Sequence, residues 1–203
     1  MNPDTWPTKL LVVDVEGNGG QPPDLVEFAA LPIHFGQVSA ATGWSTLIRP
    51  PVPITPMATK IHGISNQDVR TAPAWAETAD QVRALLDGAW IAAHNAGVEY
   101  GLLTRLLPDW QPTGVIDTLK LSRHLFGKSI RHNLDALIAH TGIDTSRIPG
   151  RRHRATFDAH ATGLLLVHLA EHFPAFTDLA AVAVPKDMPG IAPDGPETEG
   201  TLW

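Results

Sequence analysis

Apolar residues fall in short runs bounded by turn-formers in the first part of the chain and at helical spacing later. Residues 9–15 form an apolar run rich in Leu and Val that predicts a buried strand, and Gly17-Asn18-Gly19-Gly20-Gln21-Pro22-Pro23 breaks it. Two more strand-like runs, residues 25–35 and 43–48, joined near Gly36, predict an antiparallel meander. Residues 50–75 contain Pro50, Pro51, Pro53, Pro56 and Pro73. Each proline fixes φ and removes a backbone donor, so only short helical turns are expected there. Apolar spacing then predicts helices over 75–86, 98–107, 117–126, 134–140 and 155–172, with strands at 89–93 and 114–116. Strands first, then strands alternating with helices, indicate an α/β domain with a mixed sheet. From Val184 onward Pro185, Pro189, Pro193, Gly195, Pro196 and Gly200 crowd the chain. This predicts a folded domain over 1–183 and a disordered tail over 184–203. Leu202 and Trp203 are either a docking anchor or simply the tail's end.

Composition narrows the class. With 203 residues, 43% hydrophobic and 18% charged, the chain supports one globular, soluble domain. No apolar run approaches the roughly 20 residues that span a membrane. Residues 1–8 lack the basic and apolar regions of a secretory signal, so a cytoplasmic location is expected. With no cysteine, disulfides and thiolate metal sites are excluded. No long apolar heptad run defines an oligomeric state. The net charge of −6 argues against a broad electrostatic footprint for duplex nucleic acid. A carboxylate cluster would itself contribute negative charge, which bound metal reverses locally. The basic residues Arg147, Arg151, Arg152 and Arg154 surround His153 and suit either phosphate contact or a solvated loop.

Three acidic patches carry the candidate chemistry. Asp14 and Glu16 stand two apart at the end of the first strand, so their side chains leave the same face. Like charges so placed repel unless a cation joins them, and no Lys or Arg neighbours them in sequence. Glu99 opens a helix, where a carboxylate also serves the helix dipole. His153 precedes Asp158 by five positions, with small Ala155 between. Carboxylate oxygens suit Mg²⁺ or Mn²⁺ better than zinc, and such cations take further ligands from substrate phosphates. Two cations held by Asp14, Glu16, Glu99 and Asp158 would grip a scissile phosphate. His153, with an ordinary pKa near 6.5, would take the proton of the attacking water.

These residues resemble the DnaQ-like, or DEDDh, family of 3′-to-5′ exonucleases. That family carries Asp-x-Glu, His-Asn-Ala-x-Phe-Asp and His-x-Ala-x-x-Asp in this order. Here stand Asp14-Val15-Glu16, His94-Asn95-Ala96-Gly97-Val98-Glu99 and His153-Arg154-Ala155-Thr156-Phe157-Asp158. Leu25-Val26-Glu27-Phe28-Ala29, Ile61-His62-Gly63-Ile64-Ser65, Asp117-Thr118-Leu119-Lys120-Leu121 and the stretch from His132 to Ile143 share the family look. The resemblance covers about residues 8–172. It implies a ribonuclease H-like fold with a five-stranded mixed sheet flanked by helices, two Mg²⁺ or Mn²⁺ ions, and release of nucleoside 5′-monophosphates from a 3′ end. Asp14, Glu16, Glu99 and Asp158 become expected metal ligands and His153 the expected base. Gly17, Asn18, His62, Asn95, Arg152 and Arg154 become expected substrate contacts, with His62 alternatively a cap or turn residue. The expected substrate is single-stranded or 3′-ended DNA, with RNA as the alternative.

Two positions depart from the pattern. Glu99 replaces the family Asp and adds a methylene, and Val98 replaces an aromatic residue. The alternatives to an active enzyme are therefore a nucleic-acid-binding pseudoenzyme and a proofreading partner of a polymerase or other protein.

Overall fold

The computed structural model describes residues 1–190. In chain order its main elements are β1 (Leu10–Gly17), β2 (Leu25–His34), β3 (Gln37–Val38), β4 (Trp44–Leu47), α1 (Pro56–His62), α2 (Trp75–Leu86), β5 (Trp90–Ala93), α3 (Gly97–Leu106), β6 (Gly114–Asp117), α4 (Thr118–Phe126), α5 (Leu134–Thr141), α6 (Ala155–Ala170) and α7 (Phe176–Ala183). The sheet runs β3-β2-β1-β5-β6, with β4 also paired to β2. β1 is antiparallel to β2 and parallel to β5, and β5 is parallel to β6. β4 pairs with residues 27–30 of β2, and β3 with residues 33 and 34. The expected five-stranded mixed sheet is thus present as five positions, the outermost shared by β3 and β4.

Period-2 alternation along β1 divides two cores. Leu10 and Val12 pack with Leu121, Leu137, Leu165 and Leu169 of α4, α5 and α6. Leu11 and Val13 pack on the other face with Val82, Leu86, Leu102 and Leu103 of α2 and α3. A smaller cluster, Val26, Ile54, Ala58, Ile64 and Val69, seats α1. Gly163 lets α6 approach the sheet closely, because a Cβ there would lie 2.8 Å from Val38 Cγ2 and 3.3 Å from Val12 Cγ2.

Three differences from the expected elements have physical reasons. The proline-rich segment holds a full helix, α1, because Pro56 occupies a first-turn position where its missing N–H is harmless. The Thr55 side chain accepts from the Ala58 amide, and Gly63, at φ +72°, ends the helix in left-handed geometry. The helix α7 was not expected, yet Phe176, Leu179, Ala180 and Ala183 are buried at i, i+3, i+4 and i+7. Its brevity hides that signal. Finally, the segment expected to begin a disordered tail is packed as far as Gly190. Val184 is buried, and the Pro189 carbonyl accepts from the Val115 amide at 2.9 Å, covering the outer edge of β6. Leu202 and Trp203 lie outside the described residues.

Candidate active site

Asp14 and Glu16 share the parity of Leu10 and Val12, so β1 directs both carboxylates toward the α6 side of the sheet. The ladder slips between Glu16 and Gly17, where the strand leaves its regular pairing. Opposite them, the first turns of α6 deliver the buried Asp158. The preceding loop delivers His153 in left-handed geometry, φ +59°, and its amide donates to Asp158 Oδ2 at 3.0 Å. Glu16, His153 and Asp158 each present a ligand atom within 4.8 Å of the others. Residues from opposite ends of the domain converge on one spot.

Asp14 and Glu99 adjoin this group through their charges. Burial, then the like charges of Glu99 and Glu16, push Asp14 well above the usual carboxylate range. Glu16 is pushed up to about 7, first by burial and then by Glu27. Burial, with Asp117 and Glu16 adding to it, pushes Glu99 up to about 8. The Oε2 of Glu99 is buried and has no hydrogen-bond partner among the described residues. A crowded set of carboxylates with an orphaned buried oxygen fits a divalent cation, which supplies the missing counter-charge. Asp14, Glu16, Glu99 and Asp158 are the residues that could hold it. The extra methylene of Glu99 does not remove its charge from the group, since that charge acts on Asp14.

The expected substrate contacts divide. Gly17 lines a largely apolar cleft of about 420 Å³ together with Val15, Pro22, Pro23, Val98 and Leu102. Asn95 is exposed, at φ +70°, on the wall of a second cleft with His94, Arg123 and His132. Asn18, in contrast, is 1% exposed and its amide is consumed by the loop. Its Oδ1 accepts from the Gly20 and Asp24 amides, each at 2.9 Å, and its Nδ2 donates to Asp24 and Val52. His62 is likewise buried: Nδ1 accepts from the Ile64 amide at 3.0 Å, which leaves Nε2–H to donate to the Gly17 carbonyl at 3.3 Å. Burial holds its pKa below 6.5. His62 thus shapes the strand end from behind.

The basic loop is internally engaged. Arg151 donates to the His62 carbonyl at 3.1 Å, Arg152 pairs with both Asp135 and Asp158, and Arg154 grips Glu27. In this structure Arg154 anchors the loop to β2 through Glu27.

Three further acidic residues support the site. Glu27 is 5% exposed, accepts from Arg154 at 2.6–3.2 Å, and takes the Ala155 amide at 2.8 Å. A lone carboxylate inside an apolar strand was its available signal. Asp117 caps α4 through the Leu119 amide at 2.8 Å and holds the Asn95 amide at 3.0 Å. This fastens the start of α3, and with it Glu99. Asp135, in the first turn of α5, is paired among the described residues through the distant Arg152, which nothing local in the sequence announces.

The fold and this arrangement define a class. The profile of the exonuclease family RNase_T matches residues 11–166, and the chain belongs to that family. It is 36% identical over 167 residues to a DNA polymerase III subunit epsilon-like protein of Rhodobacter capsulatus, covering 79% of this chain and 23% of that protein. It is 31% identical over 161 residues to exodeoxyribonuclease 10 of Escherichia coli K12, covering 79% and 68% of the two chains. The match to the 3′-5′ exonuclease DinG of Bacillus subtilis spans only 18% of that relative, so the first curated relatives are mostly much longer proteins. The solved structure of Exonuclease X in complex with 5′ overhanging duplex DNA superimposes with a TM-score of 0.68 at 29% identity, covering 80% of this chain and 92% of the other. E. coli Exonuclease I in complex with a dT13 oligonucleotide gives 0.71 at 20% identity, covering 85% and 43%, and attests the fold. The sheet and its flanking helices are those of the ribonuclease H-like exonucleases.

Proposed function

We propose that the protein is a metal-dependent 3′-to-5′ exonuclease that releases nucleoside 5′-monophosphates from the 3′ ends of DNA, with RNA as the alternative substrate. The observation that carries this reading is the convergence of Glu16, His153 and Asp158 within 4.8 Å beside the half-buried Asp14 and the buried Glu99, both crowded by like charge. Two Mg²⁺ or Mn²⁺ ions, when bound, would neutralise charge on the scissile phosphate and polarise the attacking water. The protein's own groups do the rest. Asp14, Glu16, Glu99 and Asp158 fix where the phosphate sits, to the tolerance such chemistry demands. His153, exposed at the site's edge, accepts the proton from the attacking water at a ring nitrogen. The apolar cleft beside Gly17, Val98 and Leu102 receives the terminal nucleoside, with the base against aliphatic walls.

DNA is favoured because Exonuclease X, at 29% identity, was solved with 5′ overhanging duplex DNA. A gel assay with 5′-labelled single-stranded DNA and RNA of matched sequence, with Mg²⁺, Mn²⁺ or EDTA, tests the reading. The expected result is a ladder shortening from the 3′ end that EDTA abolishes. Intact oligonucleotides under every condition, with the protein folded, would overturn it.

A polymerase-type protein partner belongs to the same reading, supported by the likeness to the epsilon-like protein. Co-purification with and without residues 191–203 tests whether the distal tail recruits it. Retained partners in the truncated protein would overturn that role. Among the described residues no helix is long and apolar enough to cross a membrane, and a cytoplasmic location accords with the proposed substrate.

A further inference from the structure

Glu16 and Asp158 converge with His153, Asp14 and Glu99 act on the group through their charges, and one basic side chain of the loop before α6 reaches in. Arg151 is directed to the His62 carbonyl and Arg154 to Glu27. Arg152 instead sends Nη1 to Asp158 Oδ1 and Nε to Asp135 Oδ1. Asp158 Oδ2 already accepts from the His153 amide, so Arg152 stands on the oxygen left for another cation. Its positive charge also acts on Asp14 and Glu16.

The two carboxylates that share Arg152 differ in surroundings. The Asp158 side chain is 9% exposed and the Asp135 side chain 62%. A cation withdrawn from the buried partner retains the solvated one, and a long arginine side chain makes that move by its own torsions.

We propose that Arg152 is a built-in counter-cation of the metal site, which holds Asp158 in the metal-free protein and is displaced toward Asp135 when a divalent ion enters. The proposal rests on the metal-site reading above. Metal loading is then an exchange of one cation for another. The exchange keeps the carboxylate cluster folded without metal and lowers apparent metal affinity. It also ties the state of the loop carrying His153 to metal occupancy, because Arg152 and His153 are adjacent and both bind Asp158.

The test is calorimetric titration of the metal-free full chain with Mn²⁺, without nucleic acid, in wild type, Arg152→Gln and Arg152→Lys. Arg152→Gln should bind Mn²⁺ about tenfold tighter, since entry no longer displaces a guanidinium from a largely buried carboxylate. In EDTA it should melt below wild type, and it should gain more from Mn²⁺. Arg152→Lys should also bind more tightly than wild type, because a point-charge ammonium cannot fork between two carboxylates. That second variant separates a placed counter-cation from diffuse positive charge, which Lys preserves. Equal or weaker Mn²⁺ affinity in Arg152→Gln, or wild-type affinity in Arg152→Lys, would overturn the proposal while leaving the metal site intact. A folded wild type that binds no Mn²⁺ would overturn the metal-site reading and this proposal together.

Discussion

Glu16 and Glu27 stand directly opposite each other across the antiparallel pair β1–β2. Like charges at a cross-strand pair destabilise a sheet, and here both belong to the wall of the site. Arg154 resolves the conflict. Its guanidinium covers Glu27 with three hydrogen bonds, and the Ala155 amide at the start of α6 adds a fourth. Glu27 is thereby charge-paired, which offsets part of its repulsion on Glu16, and Glu16 is left as the carboxylate aimed at His153 and Asp158. The same contact locks the loop bearing His153 onto the sheet.

Removing one partner should therefore be felt globally. Arg154→Ala leaves Glu27 buried and unpaired opposite Glu16, and it should cost about 2 kcal/mol, below the range for fully buried pairs because Arg154 is partly solvated. Glu27→Gln keeps an acceptor for Ala155 and removes the like charge, so its loss should be smaller. Urea unfolding of both variants beside wild type checks the order. The same loss in both would count against this account.

Asp14→Asn should separate catalysis from stability. Its carboxylate is held well above the usual range by burial and by Glu99 and Glu16. Replacing it with a neutral isostere relieves that repulsion, so the metal-free melting temperature near pH 8 should rise. Cleavage, which requires the carboxylate as a metal ligand, should fall at least about 100-fold, the scale set by small misplacements of reacting groups. A thermal melt in EDTA and a timed gel assay give the two readouts. A variant that is less stable and fully active would reverse both expectations.

The ladder of β1 and β2 and the helix α6 were legible because each rests on a local pattern, and the three motifs named Asp14, Glu16, Glu99, His153 and Asp158, of which the fold brings Glu16, His153 and Asp158 together. Alternation put Asp14 and Glu16 on one face, and the helical spacing of residues 155–172 carried Asp158. The supporting residues were less legible because their partners are remote in sequence. Arg154 meets Glu27 across 127 positions, and Arg151 meets the His62 carbonyl across 89. From sequence alone a run of arginines beside a phosphate site reads as phosphate-binding. Only the fold shows that three of its members are engaged by protein acceptors. Asn18 and His62 were found by motif as expected substrate contacts, His62 alternatively as a cap or turn residue, and both side chains are engaged by neighbouring backbone, since a motif fixes position without fixing which way a polar group is satisfied. The short α7 escaped because eight residues give one apolar face too brief to stand out.

His153→Asn should lower kcat by roughly 10²–10⁴-fold while leaving the fold in place. Asn tolerates the left-handed backbone that His153 adopts at φ +59°, where most side chains are strained. It cannot take a proton from water near neutral pH. Single-turnover cleavage measures the loss, and circular dichroism confirms that the domain is intact. Wild-type rates would remove His153 from the mechanism.

Stability of the metal-free protein should decline as pH rises, contrary to the usual behaviour of ion-paired carboxylates. Glu99 is held at about 8 in the folded protein against an ordinary 4.5, and Glu16 at about 7. Between those values the folded chain keeps protons that the unfolded chain has released, so each step up in pH favours unfolding. The contribution is full below 4.5 and lost by the time pH passes the folded values. His62 and His94 act in the opposite sense: burial lowers both below 6.5, so their stabilising effect is lost as pH falls through their folded values. The interval above 6.5 therefore isolates the carboxylates. Melting temperatures in EDTA should fall from about pH 6.5 through about pH 8, with the raised Asp14 acting in the same sense as Glu16 and Glu99. Glu99→Gln should flatten this decline. Saturating Mn²⁺ should reverse it, because metal binding requires the deprotonated ligands that high pH supplies. A metal-free protein whose stability rises steadily through this interval would show that the carboxylates are solvated or paired, and that the site is not built around a missing positive charge.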